Sequence, residues 1–281
     1  MIRYLLFGLL FQVASVARSQ PTDKIPYGSN PKAGRYLPVD DARIYYEVYG
    51  QGHPVVLLHG GLLGYIDEYS DLIPRLSKDF QVIAIATRGH GKSEVGTKPY
   101  SYRLFAEDAY AVIKAVTPDS VILIGFSDGA IASYLLTADH PERVRKTVAI
   151  GGGVLGIGDY TDENRNFWTQ LTDEKLEKAI PGFIASRKKL MPQPEQWSRF
   201  LSELQKAWLA PTYIEKAALK TIPCPVLIAA GDRDGSTEQF VAIYKALPNA
   251  QLAIIPGAGH VVLHARPQLM YDLIYPFITR K

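Results

Sequence analysis

Short, mostly apolar runs recur along the chain, and a glycine follows each of them within three residues. The runs are 54–58 (PVVLL), 80–86 (FQVIAIA), 120–124 (SVILI), 146–150 (KTVAI), 225–230 (PVLIAA) and 251–255 (QLAII). Their apolar residues stand at consecutive rather than alternate positions, which is typical of strands buried on both faces. The sequence therefore predicts a parallel sheet that is covered on both sides.

Helical patterns lie between several of these runs, at 66–77, 103–116, 128–138, 237–247 and 266–278. Alternation of strand and helix indicates βαβ units, and hence an α/β fold with a mostly parallel, doubly wound sheet. The aromatic and β-branched stretch 42–49 (ARIYYEVY) is a further strand candidate. Ligands of such sheets bind beyond the carboxyl ends of the strands, which is where the glycine-rich turns fall.

One segment interrupts this alternation. Residues from about 155 to 221 contain no buried strand, and their apolar residues follow helical spacing, as in Trp197, Phe200, Leu201, Leu204 and Trp208. We interpret the segment as a helical cap inserted into a domain that spans 41–281. Peripheral helices without a role in binding are the alternative. Residues 20–40, rich in Pro, Gly, Ser and Lys, are predicted to be a loose leader.

The first nineteen residues have the layout of a secretory signal peptide. Arg3 precedes a mostly apolar run from Tyr4 to Val13, and small residues follow. Cleavage after Ala17 or after Ser19 satisfies the small-residue rule. The run is shorter than the ~20 apolar residues that span a bilayer, so we expect export to the periplasm or outside the cell, without a stable membrane anchor. An uncleaved anchor is the alternative.

Composition excludes several classes of function. The chain has 31 Lys and Arg against 28 Asp and Glu, a formal charge of only +3, which argues against a nucleic-acid groove. Its one cysteine, Cys224, excludes intrachain disulfides and Cys-based metal clusters. His260 and His264 have helical spacing, but no Glu follows His260 as the zinc-protease motif requires. We expect no metal and no cofactor.

The strongest chemical signal is Gly125-Phe126-Ser127-Asp128-Gly129, between a strand and a helix pattern. Glycine on either side allows the sharp turn that exposes a nucleophilic serine. His260, on a loop after the last strand, is the candidate base. Asp232 and Asp234 both follow the strand 225–230, and either can orient the histidine.

Over about 40–281 the chain resembles the α/β-hydrolase family. The shared motifs are His59-Gly60-Gly61, Arg88-Gly89-His90-Gly91-Lys92-Ser93, Gly125-x-Ser127-x-Gly129, Gly231-Asp232-Arg233-Asp234 and Gly257-x-Gly259-His260. The resemblance implies a Ser127, Asp234, His260 triad in that chain order. It further implies an oxyanion hole made by the backbone N–H groups of Asp128 and Gly61, with Leu62 as the weaker choice for the second donor.

Two local features need an interpretation beside the family pattern. The Asp128 side chain suits the helix macrodipole, but it can also attract an amine-bearing substrate, because some similar proteins with Ser-Asp-Gly act on amino-acid esters. Residues 86–93 nearly match a phosphate-binding loop, but Ala86 replaces its first glycine, and Gly96 and Pro99 leave no room for the helix that such a loop requires. Similar sequences often carry Asp where Ala86 stands.

These expectations converge on a serine hydrolase that cleaves a small acyl substrate, namely a carboxylic ester, lactone or thioester, through an acyl-enzyme. Other chemistry on the same triad is the alternative, as in cofactor-free haloperoxidases or enzymes that hydrolyse C–C bonds. A non-catalytic binding protein on the same scaffold is a further alternative, because fold alone does not fix function.

Overall fold

The predicted α/β sheet is present in the computed structural model, which describes residues 25–280. The predicted signal peptide, 1–19, lies outside the described residues. The strands are β1 (Gly34–Val39), β2 (Ala42–Tyr49), β3 (His53–Leu58), β4 (Phe80–Ile85), β5 (Val121–Phe126), β6 (Val144–Ile150), β7 (Val226–Gly231) and β8 (Ala250–Ile255).

The sheet has the order β1-β2-β4-β3-β5-β6-β7-β8. The six strands from β3 to β8 run parallel, whereas β2 pairs antiparallel with both β1 and β4. The carboxyl ends of the parallel strands therefore meet at one edge of the sheet. The doubly wound, mostly parallel architecture expected from the apolar runs is confirmed.

Eleven α-helices accompany the strands in the described part of the chain. They are α1 (Ile73–Leu76), α2 (Tyr102–Val116), α3 (Asp128–Asp139), α4 (Asp162–Thr169), α5 (Asp173–Ala179), α6 (Phe183–Lys188), α7 (Trp197–Trp208), α8 (Lys216–Leu219), α9 (Thr237–Ala246), α10 (Val262–Ala265) and α11 (Pro267–Thr279). None of the helices within residues 25–280 has the length and apolar character needed to cross a membrane.

Consecutive residues of β3 pack into two separate hydrophobic cores. Val56 and Leu58 pack in the core that includes α2, α3 and α9, and Val55 and Leu57 pack in the core that includes α1 and α11. Successive side chains of a strand point to opposite faces, so a strand between two layers of helices must be apolar at every position. Burial of each such side chain contributes about 1.5–3 kcal/mol.

The loose leader predicted for 20–40 is wrong from Gly34 onward, because Gly34–Val39 forms the edge strand β1. None of its six residues is buried, so it lacks the apolar signal of the inner strands. The segment before it is also held in place. Glu47, fully buried, accepts hydrogen bonds from the Gly28 and Asn30 backbone N–H groups at 2.8 Å each.

The helix predicted at 66–77 is replaced by a 3₁₀ turn, Ile66–Tyr69, and the single-turn helix α1. Pro74 explains the break, because proline has no N–H and is tolerated only in the first turn of a helix. Proline stands in the first turn of α1, as this rule requires.

Between β6 and β7 the chain forms helices only, α4 to α8, together with short 3₁₀ turns. The apolar face predicted for this insert is present on α7, where Trp197, Phe200, Leu201, Leu204 and Trp208 are buried. These side chains join the same core as α2 and α3. The insert is therefore packed onto the sheet domain on the side of α2 and α3.

Candidate active site

Ser127 lies in a strained turn between β5 and α3. Its φ of 54° is in the region that side chains other than glycine rarely adopt. The flanking glycines make the turn sterically possible: a Cβ at Gly129 would lie 2.0 Å from the Leu58 carbonyl oxygen, and one at Gly125 would lie 2.2 Å from the Gly129 oxygen. The Ser127 N–H donates to the Ile150 oxygen at 2.7 Å, which ties the turn to β6.

His260 connects Ser127 to Asp234. Its Nε2 lies 2.9 Å from the Ser127 Oγ, and its Nδ1 lies 2.8 Å from Asp234 Oδ1. The three side chains follow β5, β7 and β8, so the common edge of the parallel strands is what brings them together. The geometry has the form of a relay in which a carboxylate orients an imidazole and the imidazole accepts a proton from a hydroxyl.

The structure separates the two candidate acids. Asp232 Oδ1 accepts a hydrogen bond from the Gly257 N–H at 2.8 Å and thereby holds the turn after β8. Asp234, two residues on, is the one that contacts His260. The acid implied by the family pattern is thus the one placed at the imidazole.

The His260 imidazole is under two opposed influences. Burial lowers its pKa, but the charge and the hydrogen bond of Asp234 outweigh this effect, and the pKa of His260 is raised above its ordinary value. When ionised, the carboxyl groups of Asp128 and Glu68 raise the pKa of His260 in the same direction as Asp234. The surroundings of His260 therefore favour the protonated form of its imidazole.

The loop that carries Gly61 lies close to Ser127, and Asp128 is the residue that follows Ser127. A Cβ at Gly60 would be 3.3 Å from the Ser127 Cβ, and one at Gly61 would be 2.1 Å from Asp128 Oδ2. Within residues 25–280, the N–H groups of Gly61 and Asp128 donate to no protein acceptor. Leu62, the weaker choice, follows in the same turn with a φ of 42°. Backbone N–H groups of this kind are available to a substrate oxygen.

The Asp128 carboxylate is already occupied by protein donors. Its Oδ1 accepts from the Tyr102 hydroxyl and its Oδ2 from the Trp208 Nε1–H, each at 2.9 Å. Burial raises the pKa of the Asp128 carboxyl, and the two hydrogen bonds counter that rise. The side chain thus joins α3 and α2 of the sheet domain to α7 of the insert, a role that sequence reasoning missed.

Glu68 is the second residue that the sequence did not reveal. From the 3₁₀ turn after the His59-Gly60-Gly61 segment, its Oε2 accepts the Gly60 N–H at 2.7 Å. Burial raises the pKa of Glu68 to about 8. An acid in a polar turn gives no pattern that distinguishes it from a solvent-exposed residue.

The segment 86–93 is built as a structural turn and not as a phosphate loop. The Ser93 hydroxyl donates to the Ala86 oxygen at 2.6 Å and accepts the Tyr45 N–H at 2.8 Å. The helix that follows, α2, begins only at Tyr102. Arg88 is fully buried and paired with Asp108. This segment therefore supports the sheet edge and gives no place for a nucleotide phosphate.

Comparison with known proteins agrees with this architecture. Residues 55–273 match the profile of the alpha/beta hydrolase family. The chain is 27% identical over 242 residues to the serine hydrolase BPHL of Mus musculus, and the alignment covers 81% of this chain and 80% of the relative. It is 25% identical over 262 residues to the 2-hydroxymuconate semialdehyde hydrolase of Pseudomonas sp., and this alignment covers 83% of this chain and 89% of the relative.

Among solved structures, the esterase EaEST from Exiguobacterium antarcticum is similar, with a TM-score of 0.74 at 22% identity, over 88% of this chain and 100% of that one. At this level of identity the likeness concerns the fold.

Proposed function

Since the chain belongs to the alpha/beta hydrolase family, we propose that it is a serine hydrolase that cleaves a carboxylic ester, lactone or thioester through an acyl-enzyme. The observation that carries the proposal is the relay Asp234–His260–Ser127, with contacts of 2.8 and 2.9 Å. Such a relay raises the nucleophilicity of a serine hydroxyl that is otherwise weak.

In the first half-reaction the Ser127 Oγ attacks the acyl carbon, and its proton moves to the His260 Nε2. The tetrahedral intermediate then breaks its bond to the leaving group, which takes the proton from His260. Asp234 remains ionised and holds the imidazole in the tautomer that presents Nε2 to the serine. Ser127 is left as an ester of the acyl group.

In the second half-reaction a water molecule gives its proton to His260 and attacks the acyl carbon. The bond to the Ser127 Oγ breaks, and His260 returns the proton to that oxygen. The N–H groups of Gly61 and Asp128 stabilise the negative oxygen in both tetrahedral intermediates. Each donor of this kind contributes roughly 3 kcal/mol to catalysis.

A fluorophosphonate probe and an activity panel test the proposal directly. We expect covalent labelling at Ser127, turnover of activated esters, lactones or thioesters, and loss of both in Ser127→Ala, with turnover reduced ~10⁴–10⁶-fold. The folded state of the variant is checked by circular dichroism. Full activity in Ser127→Ala contradicts the assignment, and absence of labelling in the wild type favours a non-catalytic binding protein.

Hydrolysis of a carbon–carbon bond on the same triad is a second candidate. It is favoured by the similarity to the 2-hydroxymuconate semialdehyde hydrolase over 83% of this chain. Vinylogous diketones added to the panel test for C–C bond hydrolysis. A peracid-formation assay tests for the chemistry of cofactor-free haloperoxidases. Turnover of the ester class alone supports the first proposal.

We also propose that the protein is exported. The support is the charged start, apolar run and small residues of 1–19. Fractionation of the producing cell and N-terminal sequencing of the mature form test this. Recovery of the full chain in the cytoplasm contradicts it.

A further inference from the structure

The direction of the Gly61 N–H depends on the backbone of Gly60. The peptide unit that joins the two residues carries the Gly60 carbonyl oxygen at one end and the Gly61 N–H at the other. Glycine has no Cβ and is free over most backbone conformations. The orientation of this donor must therefore be held by contacts that Gly60 makes with its surroundings.

Both polar groups of Gly60 are held by side chains. The Gly60 N–H donates to Glu68 Oε2 at 2.7 Å, and the Gly60 oxygen lies 2.6 Å from His59 Nδ1. His59 Nε2 accepts the Thr87 N–H at 2.9 Å, which leaves the proton on Nδ1, from where it is donated to Gly60. Burial lowers the pKa of His59 to about 4, so the imidazole stays neutral.

The loop is closed around the Glu68 carboxylate. A Cβ at Gly64 would lie 2.8 Å from Glu68 Oε1 and 2.4 Å from the Gly60 oxygen, so a side chain at that position is excluded. The Gly64 N–H donates to the Gly61 oxygen at 3.1 Å. Glu68 thus lies against the turn that contains Gly60, Gly61 and Gly64.

We propose that Glu68 is a positioning residue that aims the Gly61 N–H at the substrate oxygen, by holding the Gly60 N–H. This inference rests on the proposed function, because it gives the loop a role only in a reaction with an oxyanion. Either protonation state of Glu68 provides an acceptor oxygen, so hydrogen-bond acceptance, and not charge, is the property that matters.

Variants of similar size test this role. Glu68→Gln keeps an acceptor oxygen, whereas Glu68→Met fills the same space without one. The readouts are the second-order rate of fluorophosphonate labelling at Ser127, in which a tetrahedral adduct forms, and kcat and KM for p-nitrophenyl butyrate. We expect Glu68→Met to lower the labelling rate and kcat at least about 10-fold with KM within twofold, since small misplacements of catalytic groups cost up to ~10²-fold.

Glu68→Gln is expected to stay within about threefold of the wild type. Asp71→Ala is the matched control, since Asp71 is an exposed acid of the same segment, and we expect wild-type rates. If Glu68→Met does not fold, Glu68→Ala replaces it, and thermal unfolding of each variant shows the fraction that is native.

Equal rates in Glu68→Met and wild type, or equal losses in Glu68→Gln and Glu68→Met, overturn the inference while Ser127 labelling in the wild type still supports the proposed function. A parallel rise in KM, without loss of labelling rate, also overturns it. Absence of labelling in the wild type overturns both proposals.

Discussion

Asp128 and Trp208 are hydrogen-bonded at 2.9 Å, although they are 80 positions apart in the sequence and belong to the nucleophile turn and the helical insert. The bond fixes the wall of the site beside Ser127. Trp208 also packs against Trp168, with ring centroids 4.7 Å apart, so the insert presents an aromatic surface at this point.

Trp208→Phe removes the donor and leaves one oxygen of a desolvated carboxylate without a partner. We expect the free energy of unfolding to fall by about 1–3 kcal/mol, measured by urea denaturation. Trp168→Phe is the control, because the Trp168 indole N–H donates no hydrogen bond among residues 25–280. Equal stability of the Trp208 variant and the wild type contradicts the role given to the bond.

The strained backbone of Ser127 predicts a stability difference between two inactive variants. Alanine keeps the unfavourable φ of 54°, whereas glycine adopts it readily. We expect Ser127→Gly to be more stable than Ser127→Ala by about 1 kcal/mol, because the relieved strain exceeds the entropy that glycine adds to the unfolded chain. Thermal and urea unfolding measure the difference, and a less stable glycine variant argues against strain at this turn.

The raised pKa of His260 predicts the acid limb of the pH profile. Only the neutral imidazole can accept the Ser127 proton, so kcat/KM should fall with decreasing pH through a value above the ordinary histidine pKa of about 6.5. The pH profile is measured with an activated ester between about pH 5 and pH 9, a range that brackets the ordinary histidine pKa. A limb at or below the ordinary value contradicts the influence of Asp234.

Asp234→Asn removes the main group that raises the pKa of His260 and also disturbs its tautomer. We expect kcat to fall by up to ~10⁴-fold and the residual activity to persist to lower pH than in the wild type. Fluorophosphonate labelling against pH gives an independent reading of the limb. If kcat falls without any shift in the acid limb of the pH profile, the Asp234 carboxylate acts only by orienting the His260 imidazole.

Substitutions of Asp232 and Asp234, the two acids after β7, should affect different properties, stability for Asp232 and kcat for Asp234. Asp232→Ala loses the bond to the Gly257 N–H, and we expect unfolding to become easier by about 1 kcal/mol with kcat within a fewfold of the wild type. Asp232→Asn keeps an acceptor and is expected to restore stability. A collapse of kcat in Asp232→Ala at full stability reverses the assignment of the two residues.

The sequence was sufficient for the inner strands because burial on both faces forces consecutive apolar residues. It was not sufficient for β1, which has no buried residue, nor for the interruption at Pro74, where one local residue overrides the helical period. Ser127 and His260 could be identified because their turns carry glycine patterns. Asp234 could not be separated from Asp232 by the residues themselves, and the family pattern was needed for that choice.

Glu68 and the Asp128–Trp208 bond were missed for a different reason. Each depends on a distance between segments, and no local pattern encodes such a distance. The acceptor for the Gly60 N–H comes from a turn eight residues later, and the donor to Asp128 comes from α7, 80 positions later. Contacts of this kind exist only in the folded chain.

Glu47 sets an upper limit on how much of the amino terminus can be removed. Its carboxylate is fully buried and needs the Gly28 and Asn30 N–H groups beside the hydroxyls of Tyr45 and Tyr49. Trimming up to about residue 25 leaves these donors intact. A recombinant form that starts after Asn30 deprives this buried carboxylate of two of its four donors. Affinity tags and protease sites therefore belong upstream of Gly28.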